Sequence, residues 1–507
     1  MSMQLSAFSS DVTPPIGHPL CGGWIAPARQ IVDPLFAKGI VLAPEGQEPI
    51  VLCAVDWCWI KGECHERWRE VLADAAGTTP GQVSVHCVHQ HDSVMADLEA
   101  DRILEREGLE VRTLLPGFFE QAVGRAASAV RDSLRSLRPV THIGTGSAAV
   151  EKVASNRRVL GPDGKVQYWR ASACKDPVAR SFPEGLIDPH LKCLTFYEDD
   201  QLLAALHCYA THPMSYYGQG GVSADFVGMA RKSCEDDFPG AAQVYFTGCA
   251  GDIAAGKYND GSPENRPVLA GRIHAAMKTA VRAACPEPIR SVEWRLAPVH
   301  LPMREEYDRA YYDAMMRRPE SSRAEQCKGA MGLAWWDRYE AGKKIDFTCL
   351  RVNDVSMLHL PAEMFVGYQL AAWEMAQRRA GAVGTSSGPG ETPGTEAGRY
   401  AGPAAAEAGR DSEPGKAGTK TDPPTELESR LGQPWSPARI AATRPSDKPP
   451  DCRTRPFVLV AAYTDNGPSY IPTADAYPQG GYEVSMARVN PKAEAVIRSC
   501  MWKLLQP

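Results

Sequence analysis

Two histidines at the end of an apolar segment are the first residues in this sequence that could do chemistry. Gly-Gln-Val-Ser-Val-His-Cys-Val-His predicts a strand, and His89 and His91 stand at its end in Val-His-Gln-His-Asp-Ser. Residues two apart on a strand face the same side. Both imidazoles can therefore reach one metal, or one can bind it while the other serves the substrate. Two surface histidines on a loop are the alternative. His86 is out of phase with His89, and we expect it to be structural.

His-x-His opens several unrelated metal sites, so the pair alone does not decide among them. Ser93 and Val94 stand where a metallo-β-lactamase-like motif needs Asp and His. The eightfold strand–helix repeat of amidohydrolase barrels is not visible, and no Cys-x-x-Cys pair signals a thiolate zinc site. The sequence also contains no Gly-x-Ser-x-Gly elbow, no phosphate-binding loop and no dinucleotide fingerprint.

A third histidine, His212, ends another apolar segment in Ala-Ala-Leu-His-Cys-Tyr-Ala-Thr-His-Pro. Pro213 cannot donate to a strand ladder, which places the imidazole at a strand terminus. Binding residues commonly gather where strands end and loops begin. Asp225 follows in Ser-Ala-Asp, where a helix cap is the simpler interpretation.

Alternating strand and helix patterns surround these histidines. Strands are predicted at residues 49–57 and 81–89, a hairpin turns at Glu198 to Gln201, and helices are predicted at 63–76, 114–137, 224–238, 266–285 and 364–379, with two more between 304 and 343. The pattern predicts an α/β fold, with mixed β-sheets flanked by helices in a single large catalytic domain. Residues 381–453 are rich in Gly, Ala, Pro, Ser and Thr and predict a disordered insertion. The catalytic domain is then expected to comprise residues 1–380 and 454–507.

Bulk composition excludes several classes of function. Of the 507 residues, 44% are hydrophobic, which allows a sizeable core, and the net charge of -6 favours neither nucleic acid nor an anionic membrane as a partner. No run reaches the ~20 apolar residues that a membrane span requires. The 15 cysteines, many of them in apolar runs, and the absence of a secretory signal predict free thiols and a cytoplasmic protein.

Eight short motifs occur in one order along the chain, between Asp11 and Glu483. They are Ser-Asp-Val-Thr-Pro-Pro-Ile-Gly, Val-Asp-Trp-Cys-Trp-Ile, Val-His-Gln-His-Asp-Ser, Ser-Asn-Arg-Arg-Val, Ala-Thr-His-Pro with Ser-Ala-Asp-Phe-Val-Gly, Phe-Thr-Gly-Cys-Ala-Gly-Asp, Leu-Pro-Ala-Glu-Met, and Tyr-Ile-Pro-Thr followed by Gly-Gly-Tyr-Glu. In these motifs the sequence resembles the neutral, non-lysosomal ceramidases and their bacterial relatives.

The resemblance implies a zinc ion (Zn²⁺) bound by His89, His212, Glu363 and Tyr470. Such a set leaves room for a catalytic water, which zinc activates for attack on a carbonyl group. Without the resemblance, the pattern around Glu363 favours an exposed helix start. Tyr470 would likewise be interpreted as a packing or turn residue.

Three further residues receive catalytic roles from the same resemblance. His91 would act beside the metal in hydrogen bonding or proton transfer. Tyr482 could donate to the developing oxyanion. Arg157 could bind the substrate or stabilise charge.

The sequence also departs from the family. Gly248 stands where the family has a serine and Cys249 where it has an asparagine, so a hydroxyl near the scissile bond is expected to be lost. A nucleophilic role for Cys249 is a minor alternative. The immunoglobulin-like C-terminal domain and the secretory signal of the family are not visible.

We therefore expect a zinc-dependent hydrolase of an amide or ester bond whose substrate is a small-molecule or lipid-like acyl compound other than ceramide. A carbohydrate or small-molecule deacylase is one alternative. A non-catalytic relative that keeps the fold and binds a ligand is another.

Overall fold

A nine-stranded mixed sheet forms the largest layer of the protein. The structure is a computed structural model that describes residues 2–384, 456–464 and 467–506, apart from the side chains of 379–384. The strands of this sheet lie side by side in the order β19 (Val292–Val299), β20 (Ile345–Val352), β21 (Val355–Pro361), β23 (Phe457–Thr464), β6 (Val83–Cys87), β4 (Ile50–Val55), β3 (Phe36–Pro44), β1 (Met3–Asp11) and β8 (Arg138–Pro139).

A second sheet of five strands packs against the first. Its order is β16 (Ala242–Thr247), β14 (Gln201–Tyr209), β13 (His190–Glu198), β9 (His142–Ala149) and β18 (Cys285–Pro288). Strands β13 and β14 form the predicted hairpin, with Glu198 opposite Gln201. Strand β16 touches β3, β4, β6 and β23 of the large sheet, so the two sheets lie face to face.

Short two-stranded ladders occupy the connections between these strands. They are β2 (Gln30–Ile31) with β15 (Gly221–Val222), β5 (Trp59–Ile60) with β7 (Met95–Ala96), β10 (Ser155–Asn156) with β17 (Ile253–Ala254), β11 (Arg158–Leu160) with β12 (Val166–Trp169), and β22 (Glu363–Met364) with β24 (Tyr470–Ile471).

Helices flank the two sheets. They are α1 (Gly62–Ala76), α2 (Leu98–Arg106), α3 (Pro116–Ser133), α4 (Pro177–Ser181), α5 (Asp225–Asp237), α6 (Asn265–Arg282), α7 (Arg309–Arg317), α8 (Arg323–Glu340), α9 (Val366–Gly384), α10 (Tyr482–Met486) and α11 (Ala493–Leu504). Helices α2, α7 and α8 pack on one another rather than on a sheet. Every helix predicted from the sequence is present within a few residues of its expected bounds. None of the helices in the described part of the chain is long and apolar enough to cross a membrane.

The layers follow one another as helix, sheet, sheet, helix. Helices α1 and α3 pack on the large sheet, and α5 and α6 pack on the smaller one. All six residues of β4 are buried because both faces of this strand are covered, which explains its continuous apolar sequence. The predicted class, mixed sheets flanked by helices in one large domain, is confirmed.

Strand β23, after the predicted insertion, lies in the middle of the large sheet. It is the neighbour of β21 on one side and of β6 on the other. The C-terminal segment thus completes the core formed by the earlier chain. The predicted insertion at 381–453 lies outside the described residues except for 381–384, which end α9.

Candidate metal centre and cavity

Three strands of the two facing sheets lead into one buried cluster. His89 follows β6, His212 follows β14, and Glu363 lies in β22, directly after β21. Each of these residues offers one ligand atom, and the three atoms lie within 4.8 Å of one another. All three side chains are buried. The structure therefore brings together three of the four residues for which the sequence predicts metal binding.

Hydrogen bonds on the far side of each ring fix which nitrogen faces the cluster. The Nδ1 atom of His89 is 2.7 Å from the carbonyl oxygen of Cys58, and Nδ1 of His212 is 2.6 Å from that of Ala250. A carbonyl oxygen only accepts, so Nδ1 carries the proton in both rings. Each Nε2 atom then presents a lone pair to the same oxygen of Glu363, at 3.5 Å from His89 and 3.1 Å from His212.

The charges of this cluster favour a bound cation. Burial lowers the pKa of His212 to about 4, so the ring is neutral at pH 7. Burial opposes ionisation of Glu363, whereas a positive charge between it and the two rings, on a protonated imidazole or a bound cation, holds the pKa of its carboxyl below its usual range. Two imidazole lone pairs and a carboxylate thus converge, while Nε2 of His89 has no hydrogen-bond partner. Three buried acceptors without a donor are costly, and a divalent ion between them removes that cost.

Tyr470, the fourth predicted ligand, lies beside this cluster because β24 pairs with β22. In that ladder Tyr470 is directly opposite Glu363. Its ring stacks on His212 with centroids 6.4 Å apart, and its hydroxyl accepts a hydrogen bond from Arg157 at 3.1 Å. Burial raises the pKa of Tyr470 above its usual value, and Arg157 opposes that effect.

Arg157 lies behind Tyr470 rather than on the surface of the cavity. Its Nε atom is 3.0 Å from the carboxylate of Glu483, which also accepts a hydrogen bond from Trp169 at 2.8 Å. Arg157 is 4% exposed and does not line the cavity beside the candidate metal cluster, which consists of His89, His212 and Glu363. These contacts orient Tyr470. The role predicted from the sequence, substrate binding or charge stabilisation, stays a prediction.

His91 reaches the same cavity from the loop after His89. The two rings lie 5.1 Å apart and nearly perpendicular. Burial lowers the pKa of His91, while its hydrogen bond with the Cys21 thiol opposes that effect. Cys21, Cys58 and His91 form a second group of possible ligands, with the two sulfur atoms 3.8 Å apart. No local motif predicts this group, because its cysteines belong to remote segments.

Tyr482, at the start of α10, forms another part of the cavity wall. It is 37% exposed, and its ring meets that of Tyr470 edge-on at 5.9 Å. Burial raises the pKa of Tyr482 to about 12, so its hydroxyl stays protonated at neutral pH. A protonated phenol facing the cavity is a hydrogen-bond donor, as the predicted role requires.

Solved structures share this architecture, although sequence comparison alone does not find them. No protein-family model matches the chain, and no curated protein matches it by sequence. The neutral ceramidase from Pseudomonas aeruginosa superposes with a TM-score of 0.63 at 14% identity, over 100% of this chain and 74% of that chain. A ceramidase complexed with C2 gives a TM-score of 0.62 at 14% identity, over 100% and 75%. This chain has the fold of the neutral ceramidases.

Within this ceramidase fold, the backbone around the metal cluster is strained. Left-handed φ values occur at His89 (78°), Ala362 (63°), Tyr463 (55°) and Ser469 (71°). Each costs about 1–3 kcal/mol in a residue other than glycine and persists only where the surrounding structure enforces it. Tyr463, which the sequence did not single out, stacks on His89 with centroids 4.4 Å apart. The structure around the cluster therefore enforces these backbone conformations.

A close backbone approach explains one glycine of the Gly-Cys-Ala-Gly-Asp motif. A Cβ atom at Gly251 would lie 2.3 Å from the carbonyl oxygen of Glu363. The Gly251 amide also donates to the carbonyl oxygen of Met364 at 2.8 Å. Only glycine allows this contact, which fixes the strand carrying Glu363.

The two departures from the ceramidase motif lie away from the cavity surface. A Cβ atom at Gly248 would meet the side-chain oxygen of Gln369 at 2.4 Å, and neither Gly248 nor Cys249 lines the cavity. Cys249 is fully buried, and burial raises the pKa of its thiol well above the usual range. These contacts argue against a nucleophilic role for Cys249. They also mean that Gly248 removes no hydroxyl from the cavity wall.

Proposed function

We propose that this protein is a zinc-dependent hydrolase that cleaves an amide, or an ester, bond of an acyl compound. The observation that carries the proposal is the convergence of two imidazole lone pairs on the carboxylate of Glu363. The shared fold with neutral ceramidases supports the same reaction class, because the name of those proteins describes cleavage of an amide-linked acyl group.

His89, His212 and Glu363 would hold the ion, with the phenol of Tyr470 as a fourth, weaker ligand. The donor set of two nitrogens and one carboxylate oxygen suits zinc and leaves room for further ligands. When bound, zinc lowers the pKa of water and polarises a carbonyl group. Backbone carbonyls behind both histidines keep each ring in the required tautomer and orientation.

The remaining side chains divide the other tasks of hydrolysis. His91 is neutral at pH 7 and can accept a proton at its ring before passing it to the leaving group. Tyr482 donates a hydrogen bond to the negative charge that develops on the carbonyl oxygen. Arg157 acts through Tyr470 and is therefore a positioning residue.

The substrate we propose is an acyl compound other than ceramide, with a small or sugar-linked acyl compound as the second candidate. Support comes from three cationic side chains that line the cavity, those of Lys61, Lys328 and Arg488, since ceramide carries no charge. The loss of a serine at position 248 would favour a non-catalytic, ligand-binding role. Gly248, however, does not line the cavity.

Zinc quantification combined with a screen of N-acyl and O-acyl compounds tests the proposal. We expect about one zinc ion per chain and hydrolysis of at least one acyl compound. His89→Ala and His212→Ala should each lose the ion and the activity. A matched control is His207→Gln, which changes a buried histidine outside the cluster and should keep both.

Normal zinc content in either alanine variant would refute the ligand assignment. A protein that binds zinc but hydrolyses no acyl compound would favour the ligand-binding alternative instead.

A further inference from the structure

Three cationic side chains line the cavity in front of the metal cluster. Lys61 precedes α1, Lys328 lies in α8, and Arg488 follows α10, so the three come from distant parts of the chain. Among the described residues that line this cavity, Glu363 provides the sole carboxylate, and the two histidines already engage it. The Cys21 thiol, whose pKa is lowered to about 5 by its contacts with Cys58 and His91, is a second acidic group in the lining. The chain as a whole has a net charge of -6. The net charge of the side chains that line the cavity is therefore positive, whereas that of the whole chain is negative.

These cations have no carboxylate partner, unlike neighbouring basic residues. In the described parts of the chain, no carboxylate oxygen lies within 4.0 Å of Lys61, Lys328 or Arg488. Arg338, on the same helix as Lys328, has two such partners, Glu66 at 2.6 Å and Glu99 at 3.1 Å. Partly buried charges are normally paired in a salt bridge. The negative groups that act on these lysines, Cys21 on Lys328 and Asp97 with Glu363 on Lys61, do so without one.

Aromatic rings hold the three cations in place. The Lys61 ammonium lies 4.4 Å from the ring centroid of Trp59, and the Lys328 ammonium lies 4.4 Å from that of Trp24. The Arg488 guanidinium lies 5.0 Å from the centroid of Tyr312. Cation–π contacts orient a cation without neutralising it, so all three remain available to an anion.

The cations are also close enough to repel one another. The charge of Arg488 acts to lower the pKa values of both Lys61 and Lys328, in addition to the larger effect of burial. Asp97 acts in the opposite sense on Lys61, but its carboxylate accepts the capping hydrogen bond of α2 and does not line the cavity. An anion bound between the three cations would relieve this repulsion.

We propose that the substrate carries an oxyanion, a carboxylate, sulfate or phosphate, which Lys61, Lys328 and Arg488 bind while its acyl group lies at the metal cluster. The planar fork of Arg488 suits two oxygens of one such group, and the two lysines add point charges. Met95, Met331 and Met486 line the same cavity and offer adaptable apolar contacts to an acyl chain. This assignment of substrate class rests on the proposed hydrolase function.

The first test compares two substrates with the same acyl chain, an N-acylglycine and an N-acylethanolamine, on the zinc-loaded protein. We expect kcat/KM at least about 10-fold higher for the anionic compound, the size of one charge-assisted hydrogen bond. Lys61→Met, Lys328→Met and Arg488→Gln should each lower kcat/KM for the N-acylglycine about 10-fold or more and leave the neutral compound nearly unchanged. Arg488→Lys should restore part of the loss. The control is Arg135→Gln, which removes an exposed cation that does not line the cavity.

Calorimetric titration with inorganic sulfate separates this inference from the proposed function, because it requires no hydrolysis. The unmodified protein should bind sulfate, and Arg488→Gln should weaken that binding about 10-fold. Sulfate binding that the three substitutions leave unchanged, or equal kcat/KM for the two substrates, would overturn the proposal. Sulfate binding without hydrolysis of any acyl compound would reject the hydrolase and keep the anion site.

Discussion

Two groups of buried histidines in this protein differ in what their ring nitrogens face. His89 and His212 each donate from Nδ1 to a backbone carbonyl and direct Nε2 at the carboxylate of Glu363. The second group lies in the core, where each ring forms a hydrogen bond with a neutral partner. Its contacts are His86 with the Thr247 amide at 2.9 Å, His207 with Gln243 at 2.8 Å, and His359 with Ser84 at 2.6 Å.

Burial lowers the pKa of His212 much as it lowers those of the core histidines. The pKa is lowered to about 4 in His212 and in His207, and to about 3 in His86, with burial as the largest cause in each. A perturbed pKa therefore does not distinguish a candidate ligand from a core residue here. The difference is that the rings of His89 and His212 face one carboxylate, that of Glu363, whereas the three core histidines share no carboxylate. We call this arrangement convergence. The following substitutions test that distinction, beginning with the largest expected effect.

Glu363→Gln removes the charge on which the two rings converge while keeping the shape of the side chain. We expect zinc affinity to fall by at least about 100-fold, because loss of a ligand should cost no less than loss of a group behind one. Hydrolysis should fall with it. Equilibrium dialysis against zinc measures the first effect. An unchanged zinc affinity would show that convergence on Glu363 does not define the metal site.

His91→Gln tests a histidine that lines the cavity but is not one of the two whose rings face the carboxylate of Glu363. Loss of proton transfer should lower kcat by about 10²–10⁴-fold. Zinc content should remain that of the unmodified protein, because His91 is not one of the three converging residues. Steady-state kinetics and metal analysis on the same preparation give both values. Loss of zinc would place His91 among the metal ligands and break the comparison.

His207→Gln tests a core histidine through the pH dependence of stability. The folded pKa of about 4 is below the ordinary value of 6.5, so the unfolded chain binds more protons between these pH values. The free energy of unfolding must then fall as the pH falls from 6.5 towards 4. At pH 5 this residue should cost about 2 kcal/mol, a cost absent from the variant.

Urea unfolding of both proteins at pH 7 and pH 5 measures this effect, and the contributions of other groups cancel in the difference. The stability gap between the two proteins should narrow on acidification. A constant gap would mean that His207 is protonated in the folded state.

His274→Gln should have the smallest effect. This half-buried histidine pairs with Asp237 at 2.6 Å, but no second ring shares that carboxylate. We expect a loss of less than about 1 kcal/mol in the free energy of unfolding and no change in zinc content or hydrolysis. A lower zinc content would show that pairing with a carboxylate, rather than convergence, marks the ligands.

The sequence predicts much of this fold and part of the site. Helices with clear periodicity and the β13–β14 hairpin follow from local patterns. Strand β1 is missed because its buried and exposed positions are mostly filled by small or polar residues, which weaken the alternation. His89 and His91 stand out by spacing alone. Glu363 and Tyr470 required the family resemblance, because their roles come from the pairing of β22 with β24.

The cationic and thiol side chains of the cavity wall were not predicted. Lys61, Lys328 and Arg488 carry no motif and lie far apart in the sequence, as do Cys21 and Cys58. Their proximity results from the packing of α8 against the loops near α1 and α2 and from the return of the chain at α10. Such contacts are set by tertiary structure, and no local pattern in the sequence records them.

The central position of β23 has a consequence for how the protein is made. During synthesis, β6, which precedes His89, and β21, which precedes Glu363, emerge before the strand that joins their two halves of the sheet. A nascent chain that lacks residues 457–471 therefore has neither that connection nor Tyr470. The pairing of β22 with β24, which places Tyr470 directly opposite Glu363, can therefore form only after this late segment has docked.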